Sequence, residues 1–255
     1  MNLQMDLAIA EKYNSGSQRI RVITENWVNQ NLFCPYCGSV YISHFENNRP
    51  VADFYCPSCS EEYELKSKSG SISNKVNDGA YATMIERIES INNPNFFFMH
   101  YGKTDLRVKN LIMVPKHFFT PDIIEKRKAL SMTARRAGWV GCNIVLQQIP
   151  EEGRVYIVKD EIEQSIEEII SKVKKTNFIS GYKLDARGWI LDILNCVNRI
   201  PTRTFTLEEM YRFVPELELK YPENHHVRDK IRQQLQLLRD KGIIEFEGKG
   251  RYRKI

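Results

Sequence analysis

Two Cys-x-x-Cys pairs, Cys34-Pro-Tyr-Cys37 and Cys56-Pro-Ser-Cys59, stand eighteen residues apart in a chain of 255. No other feature of the sequence limits the fold as sharply. A two-residue spacing lets one tight knuckle aim both sulfurs of a pair at one point, and two knuckles supply the tetrahedral four-thiolate set of a zinc ribbon. Pro35 and Pro57 follow the first cysteine of each pair, and Gly38 offers a turn after the first. Four thiolates leave no open coordination position, so this zinc is expected to hold structure rather than to react. His44 lies between the pairs but is not needed as a ligand. The remaining two of six cysteines, Cys142 and Cys196, stand alone and read as small buried hydrophobes. The start, MNLQMDLAIAEKYN, has acids and no basic region ahead of an apolar run, so no secretory signal is expected. The most apolar patch, Phe96 to Met99, is too short for a bilayer, and a reducing cytoplasm follows as the expectation.

Residues of another kind are threaded through the second knuckle. Asp53 closes a short apolar run ahead of Cys56, and Glu64-Leu65-Lys66 sits in a β-like run after Cys59. On a strand, residues two apart share a face, so Glu64 and Lys66 converge. Two carboxylates suit a hard cation such as Mg²⁺. Such a cation polarises a phosphodiester and acidifies a water, while an ammonium beside it can steady or deprotonate the nucleophile. Glu-x-Lys on a strand is also what a solvated edge looks like, and the residues alone leave both readings open.

Apolar periodicity predicts helices over 3–13, 17–31, 78–90 and 161–175, the second capped by Ser17. Strands are expected over 50–56, 61–68, 95–101, 106–115 and 155–159. Helices flanking a few central strands make an α/β (α+β) pattern. Residues 176–184 read as a linker. Beyond it, 185–200 is an amphipathic helix with Trp189, Ile190, Ile193, Leu194 and Val197 inward. Thr206 to Glu209 is a capping box opening a short second helix. A long helix over 224–241 puts Val227, Ile231, Leu235 and Leu238 on one face, with Gly242 just past its end. IIEFE and RYRKI, joined by Gly-Lys-Gly, form a hairpin. Three helices and a hairpin are the pattern of a winged helix. Two domains are therefore expected, 1–180 and 181–255.

The formal net charge is +5, and residues 225–255 carry nine Lys or Arg against four Asp or Glu, the whole of that excess. A local basic surface of this kind suits a polyanion.

The stretches HFENNRPVADFYC, NDGAYATM, NNPNFFF, TARRAGW and KIRQQLQLLRDK, with the four cysteines around Asp53 and the C-terminal winged helix, resemble the DpnI-type restriction endonucleases over nearly the whole chain. RPVADFY and EYELKSK resemble the PD-(D/E)xK nuclease motif, Pro50 and Asp53 matching its first part and Glu64 to Lys66 its second. The resemblance implies a PD-(D/E)xK core with an embedded four-cysteine zinc ribbon, followed by a winged helix. It implies a type II, site-specific, Mg²⁺-dependent deoxyribonuclease that cuts double-stranded DNA at GATC carrying N6-methyladenine. Asp53, Glu64 and Lys66 carry over as catalytic residues, Asp53 and Glu64 as Mg²⁺ ligands, and Cys34, Cys37, Cys56 and Cys59 as Zn²⁺ ligands. A prokaryotic cytoplasm, a monomer and a methyl-recognising surface on each domain are expected with it, and no membrane partner.

In a winged helix the third helix enters the major groove, where base edges and an N6-methyl are exposed. His225, His226, Arg228, Arg232, Gln233 and Gln236 are the candidates there, and Lys249, Arg251, Arg253 and Lys254 of the wing suit phosphates. For any one of them, solvation or phosphate contact is the alternative. An aromatic ring reads a methyl by apolar contact; Trp139, beside Arg135 and Arg136, is such a reader or an ordinary core tryptophan, whereas Trp189 reads as core. Two rival functions remain. A zinc-ribbon and winged-helix transcription regulator would bind DNA without cutting, and would have no need of Asp53, Glu64 and Lys66. A nuclease of unmethylated DNA is not excluded by the residues.

Overall fold

The computed structural model describes residues 1–46, 52–70, 74–90 and 92–255. Pro50 lies outside them. The α/β expectation holds, with a mixed seven-stranded sheet at the centre. Its strands are β1 (Ser43–His44), β2 (Phe54–Tyr55), β3 (Glu62–Ser69), then, after β4 (Lys75–Ala80) of another sheet, β5 (Asn95–Tyr101) and β6 (Val108–Val114). Beyond β7 (Ile124–Lys126) and β8 (Gly141–Val145), the sheet is completed by β9 (Val155–Lys159) and β10 (Ile162–Glu163). The order is β1-β2-β3-β5-β6-β9-β10, with only β3 and β5 parallel.

NFFFMHY is buried at every position but His100 because both faces of β5 are covered. One face packs Phe97, Met99, Leu111 and Met113 against Trp27 and Val28 of α1 (Gly16–Asn31). The other packs Phe96, Phe98, Ile112 and Val114 with Met84 and Ile88 of α2 (Tyr81–Glu89). α3 (Ile166–Thr176) joins the first face through Ile169 and Val173. β4, β8 and β7 form a separate three-stranded sheet.

Several local expectations are corrected. Residues 3–13 hold only a 3₁₀ turn at Ala8–Ala10; Leu3 and Met5 are buried and bond to Val108 and Leu106 as extended chain. Ser15, not Ser17, takes the position before α1, and its hydroxyl caps nothing there. Residues 78–80 belong to β4, so α2 starts at Tyr81. α3 starts at Ile166, capped by Ser165, after the short edge strand β10.

After α3, Asn177–Gly181 is a 3₁₀ turn with Ile179 fully buried, not a solvated tether. The C-terminal part comprises α4 (Leu184–Arg199), β11 (Thr204–Thr206), α5 (Leu207–Tyr211), α6 (Val214–Lys220), α7 (Val227–Asp240), β12 (Ile244–Gly248) and β13 (Arg251–Lys254). The expected second helix is two, broken at Arg212 and Phe213, just ahead of Pro215. Thr206 and Glu209 close the expected capping box, and every residue read as inward on α4 and α7 is buried. The wing is three-stranded, β11-β13-β12. This part is tied to the rest: Asn195 Nδ2 donates to the Gln148 carbonyl at 2.8 Å, and Lys220 Nζ bridges Asp122 at 2.5 Å and Asp192 at 2.6 Å.

Candidate active site

The turn between β2 and β3 is the second cysteine knuckle, and this sets the register beside it. Phe54 pairs with Tyr63 and Tyr55 with Glu62, so one rung further Asp53 stands across from Glu64. The Asp53 N–H donates to the Tyr63 carbonyl at 2.9 Å, and its own Oδ2 accepts the Leu65 N–H at 2.8 Å. Glu64 and Lys66 share a face as expected, Lys66 Nζ lying 2.5 Å from Glu64 Oε1. The same ammonium contacts Asp78 of β4. Glu64 Oε2 is buried without a hydrogen-bond partner, with Arg87 Nη1 3.8 Å away. On the α1 side, Arg21 Nε donates to Glu25 at 2.5 Å and Nη2 lies 3.9 Å from Asp53 Oδ1. His44 Nε2 is 3.1 Å from Glu25 Oε2, which takes His44 away from the cysteines. The cluster opens into a cavity of about 570 Å³.

Burial raises the Asp53 carboxyl above the ordinary range, against the Leu65 N–H and the cations Arg21 and Lys66. Burial likewise raises Glu64, with Asp78 adding to it and Lys66 opposing. Burial works against the Lys66 charge too, but Glu64 and Asp78 outweigh it and its pKa is raised. Lys66 is therefore an ammonium here, which favours steadying negative charge over taking a proton. Two facing carboxylates short of positive charge, one with an orphaned oxygen, fit a hard divalent cation.

The zinc expectation fits equally well. Gly38 N donates to the Cys34 carbonyl and Ser60 N to that of Cys56, each at 2.8 Å, while Cys34 N and Cys56 N bond to Ser39 and Glu61 at 2.8 Å. The two knuckles are thus near copies, each closed by a residue at positive φ, Gly38 at 78° and Ser60 at 61°. All four sulfurs lie within 4.8 Å of one another, with Cys34–Cys59 and Cys37–Cys56 at 3.5 Å. Tetrahedral Zn–S bonds near 2.3 Å require sulfur separations of about 3.8 Å. Burial opposes the Cys56 thiolate, yet the N–H groups of Cys59 and Ser58 bring its pKa down to about 7.

The model of the DpnI, or Dam-replacing, family matches residues 1–182, and that of the Dam-replacing HTH domain matches residues 185–254. The chain belongs to this family. It is accordingly a DpnI-type, methyl-directed restriction endonuclease, with a C-terminal winged helix suited to DNA. Among the described residues no helix is long and apolar enough to cross a membrane.

For such an endonuclease the basic surfaces matter. The hairpin of β7 and β8 is extended by Arg127 N bonding to Gly141 and Leu130 N to Trp139, which closes a loop whose tip is exposed. Arg135 and Arg136 are exposed there, and the Arg136 guanidinium lies 4.2 Å over the half-buried Trp139 ring. Trp139 lies against Gly141, where an added Cβ would come within 2.7 Å of the ring. It is no ordinary core residue, whereas Trp189 is buried and stacks on Tyr221 at 3.9 Å. His225 and His226 are exposed in the turn before α7 rather than on it. Arg228, Arg232, Gln233 and Gln236 are exposed on α7, Arg228 over the Tyr211 ring and Arg232 held by Tyr211 and Asp229. Lys249 and Arg251 are exposed on the wing; Arg253 is paired with Glu245 and Glu247.

Sequence reasoning missed Glu25, Asp78 and the cations Lys126, Arg127 and Lys128 at the loop neck. Glu25 did leave a signal, an acid inside the apolar stripe of Ile23, Trp27 and Val28 on α1. Asp78 left none, because its strand is too polar to show a period of two.

Proposed function

We propose that this endonuclease hydrolyses double-stranded DNA at GATC carrying N6-methyladenine, using Mg²⁺ held by Asp53 and Glu64. The reading is carried by the facing pair Asp53 and Glu64, with one Glu64 oxygen buried without a hydrogen-bond partner and the other paired with the Lys66 ammonium. A transcription regulator has no use for such a site. When bound, the cation would neutralise the attacked phosphate and acidify a water. The chain's own residues do the rest. Asp53 is fixed by the Leu65 N–H, so its free oxygen faces the cavity. Lys66 remains charged and offsets the negative charge that develops on the phosphate. Zn²⁺ on Cys34, Cys37, Cys56 and Cys59 holds the β2–β3 turn that sets the rung.

On this reading residues 1–180 carry catalysis and 181–255 form the winged helix. Arg135 and Arg136 take phosphates, Trp139 reads the methyl, and His225, His226, Arg228, Arg232, Gln233 and Gln236 lie along the major groove. Lys249, Arg251 and Arg253 track the backbone, Arg253 by exchanging its acid partners. Digestion of plasmid DNA with and without N6-methylated GATC, in Mg²⁺ and then in EDTA, tests the proposal. Cutting of methylated plasmid in Mg²⁺ alone is the expected result; equal cutting of both plasmids refutes the methyl requirement, and cutting in EDTA refutes the metal.

A further inference from the structure

Lys66 has two acid partners on two different sheets. Glu64 lies two residues away on its own strand, while Asp78 belongs to β4 and reaches the same Nζ from the other sheet. Asp78 is buried, its side chain only 7% exposed, and Lys66 Nζ is its ion-pair partner among the described residues. A buried carboxylate facing one ammonium on another element fixes where that ammonium sits. The strand is itself held in place: Asp78 pairs with Cys142, the ladder shifts register between Asp78 and Ala80, and Tyr81 N bonds to Val140 at 3.1 Å. The bulge turns the chain into α2, so Asp78 stands at a rigid corner of the sheet that also carries the Trp139 loop.

The geometry raises a conflict that Asp78 resolves. Glu64 gives Oε1 to Lys66 and leaves Oε2 without a hydrogen-bond partner, so the ammonium and a cation would share one carboxylate, where two positive charges repel. An ammonium with no other partner would stay on Glu64 and compete with the metal. We propose that Asp78 is a positioning residue that shares the Lys66 ammonium with Glu64 and draws its charge off that carboxylate, leaving Glu64 open to the divalent cation through Oε2 while keeping the positive charge at the scissile phosphate. This rests on the assignment of Asp53, Glu64 and Lys66 above and adds a residue that touches neither metal nor DNA. It also places one anchor of the catalytic lysine on the sheet that presents the basic loop.

The test uses the full chain and two readouts. The first is Mn²⁺ binding in the absence of DNA, followed by loss of the free-ion paramagnetic resonance signal. The second is the single-turnover cleavage rate beside the duplex dissociation constant. Asp78→Asn should weaken Mn²⁺ binding and slow cleavage by about tenfold each, the usual scale for residues that orient a metal's ligands, with duplex affinity unchanged. Asp78→Glu should recover most of both. In a Lys66→Met background, Asp78→Asn should have no further effect on Mn²⁺, because it acts through the lysine. Wild-type metal binding and rate in Asp78→Asn overturn the inference, as does an undiminished loss in the Lys66→Met background, which would make Asp78 a ligand. Should Asp78→Asn not fold, Asp78→Ser carries the same outcomes. A wild-type chain that does not cut with Mg²⁺ would sink the catalytic assignment, while the Mn²⁺ readout would still decide the role of Asp78.

Discussion

Asp53 and Glu64 are costly residues in the metal-free protein. Burial raises both pKa values above their ordinary 3.8 and 4.5, so the fold favours their protonated forms. Their contribution to stability is then fully present below the unfolded pKa values and is lost as pH rises through the folded ones. A bound cation reverses the sign by favouring the ionised pair. Two outcomes follow at this scale. Asp53→Asn, which keeps an acceptor for the Leu65 N–H, should raise the melting temperature of the protein in Mg²⁺-free buffer at pH 7 while lowering cleavage by on the order of 10³-fold. A variant that melts lower, or still cuts, contradicts the account. The Mg²⁺ concentration for half-maximal cleavage should keep falling as pH rises past the ordinary carboxylate range; a titration already flat from pH 5 would show unstrained acids. These two residues and Lys66 were legible because their spacing, with the family's neighbouring stretches, survives in one dimension. Asp78 was not, since its contact with Lys66 comes from packing between distant elements, and Glu25 showed only as an acid inside an apolar stripe.

The β2–β3 hairpin is the element on which the site depends. Its turn is the second cysteine knuckle, and its first rung beyond the paired residues brings Asp53 opposite Glu64. The cysteine spacing exposed this design because a knuckle is local, fixed by four consecutive residues. The neighbouring elements were harder to read. Residues 75–80 carry few apolar side chains, so the alternation of β4 is invisible and the helical signal of α2 swallowed its end. At 3–13, Leu3 and Met5 alternate for one edge while the following residues mimic a helical repeat. Cys56→Ser should therefore lose zinc, destabilise the protein by several kcal/mol and abolish cleavage even with Asp53, Glu64 and Lys66 intact. Metal analysis with thermal melting checks it; a zinc-free wild type of normal stability would refute it. Gly38 belongs to the same element, and Gly38→Ala should cost about 1 kcal/mol because φ is 78° and Ile170 Cδ1 would sit 3.0 Å from the new Cβ.

Across the whole molecule, basic surface is presented twice, on the loop between β7 and β8 and on α7 with its wing, and the two parts share a continuous apolar core. Phosphate contact and methyl contact differ in their physics, which makes them separable. Each phosphate neutralised contributes a salt-log slope of about −0.9 through counterion release, whereas an apolar contact with a methyl is unscreened. Arg135 lies exposed with no tie to Trp139, while Arg136 is stacked on that ring. In metal-free buffer, Arg135→Gln should flatten the salt dependence of duplex binding by about one unit and leave the preference for methylated GATC unchanged. Trp139→Ala should do the reverse, cutting the preference by about tenfold, the scale of 1–1.5 kcal/mol for an aromatic contact, at an unchanged slope. Arg136→Gln should do both, since its loss removes a charge and frees the ring. Titrations of matched duplexes at several salt concentrations give both numbers for each variant. If Trp139→Ala alters the slope and not the preference, the loop is an electrostatic clamp, and methyl discrimination must reside on α7.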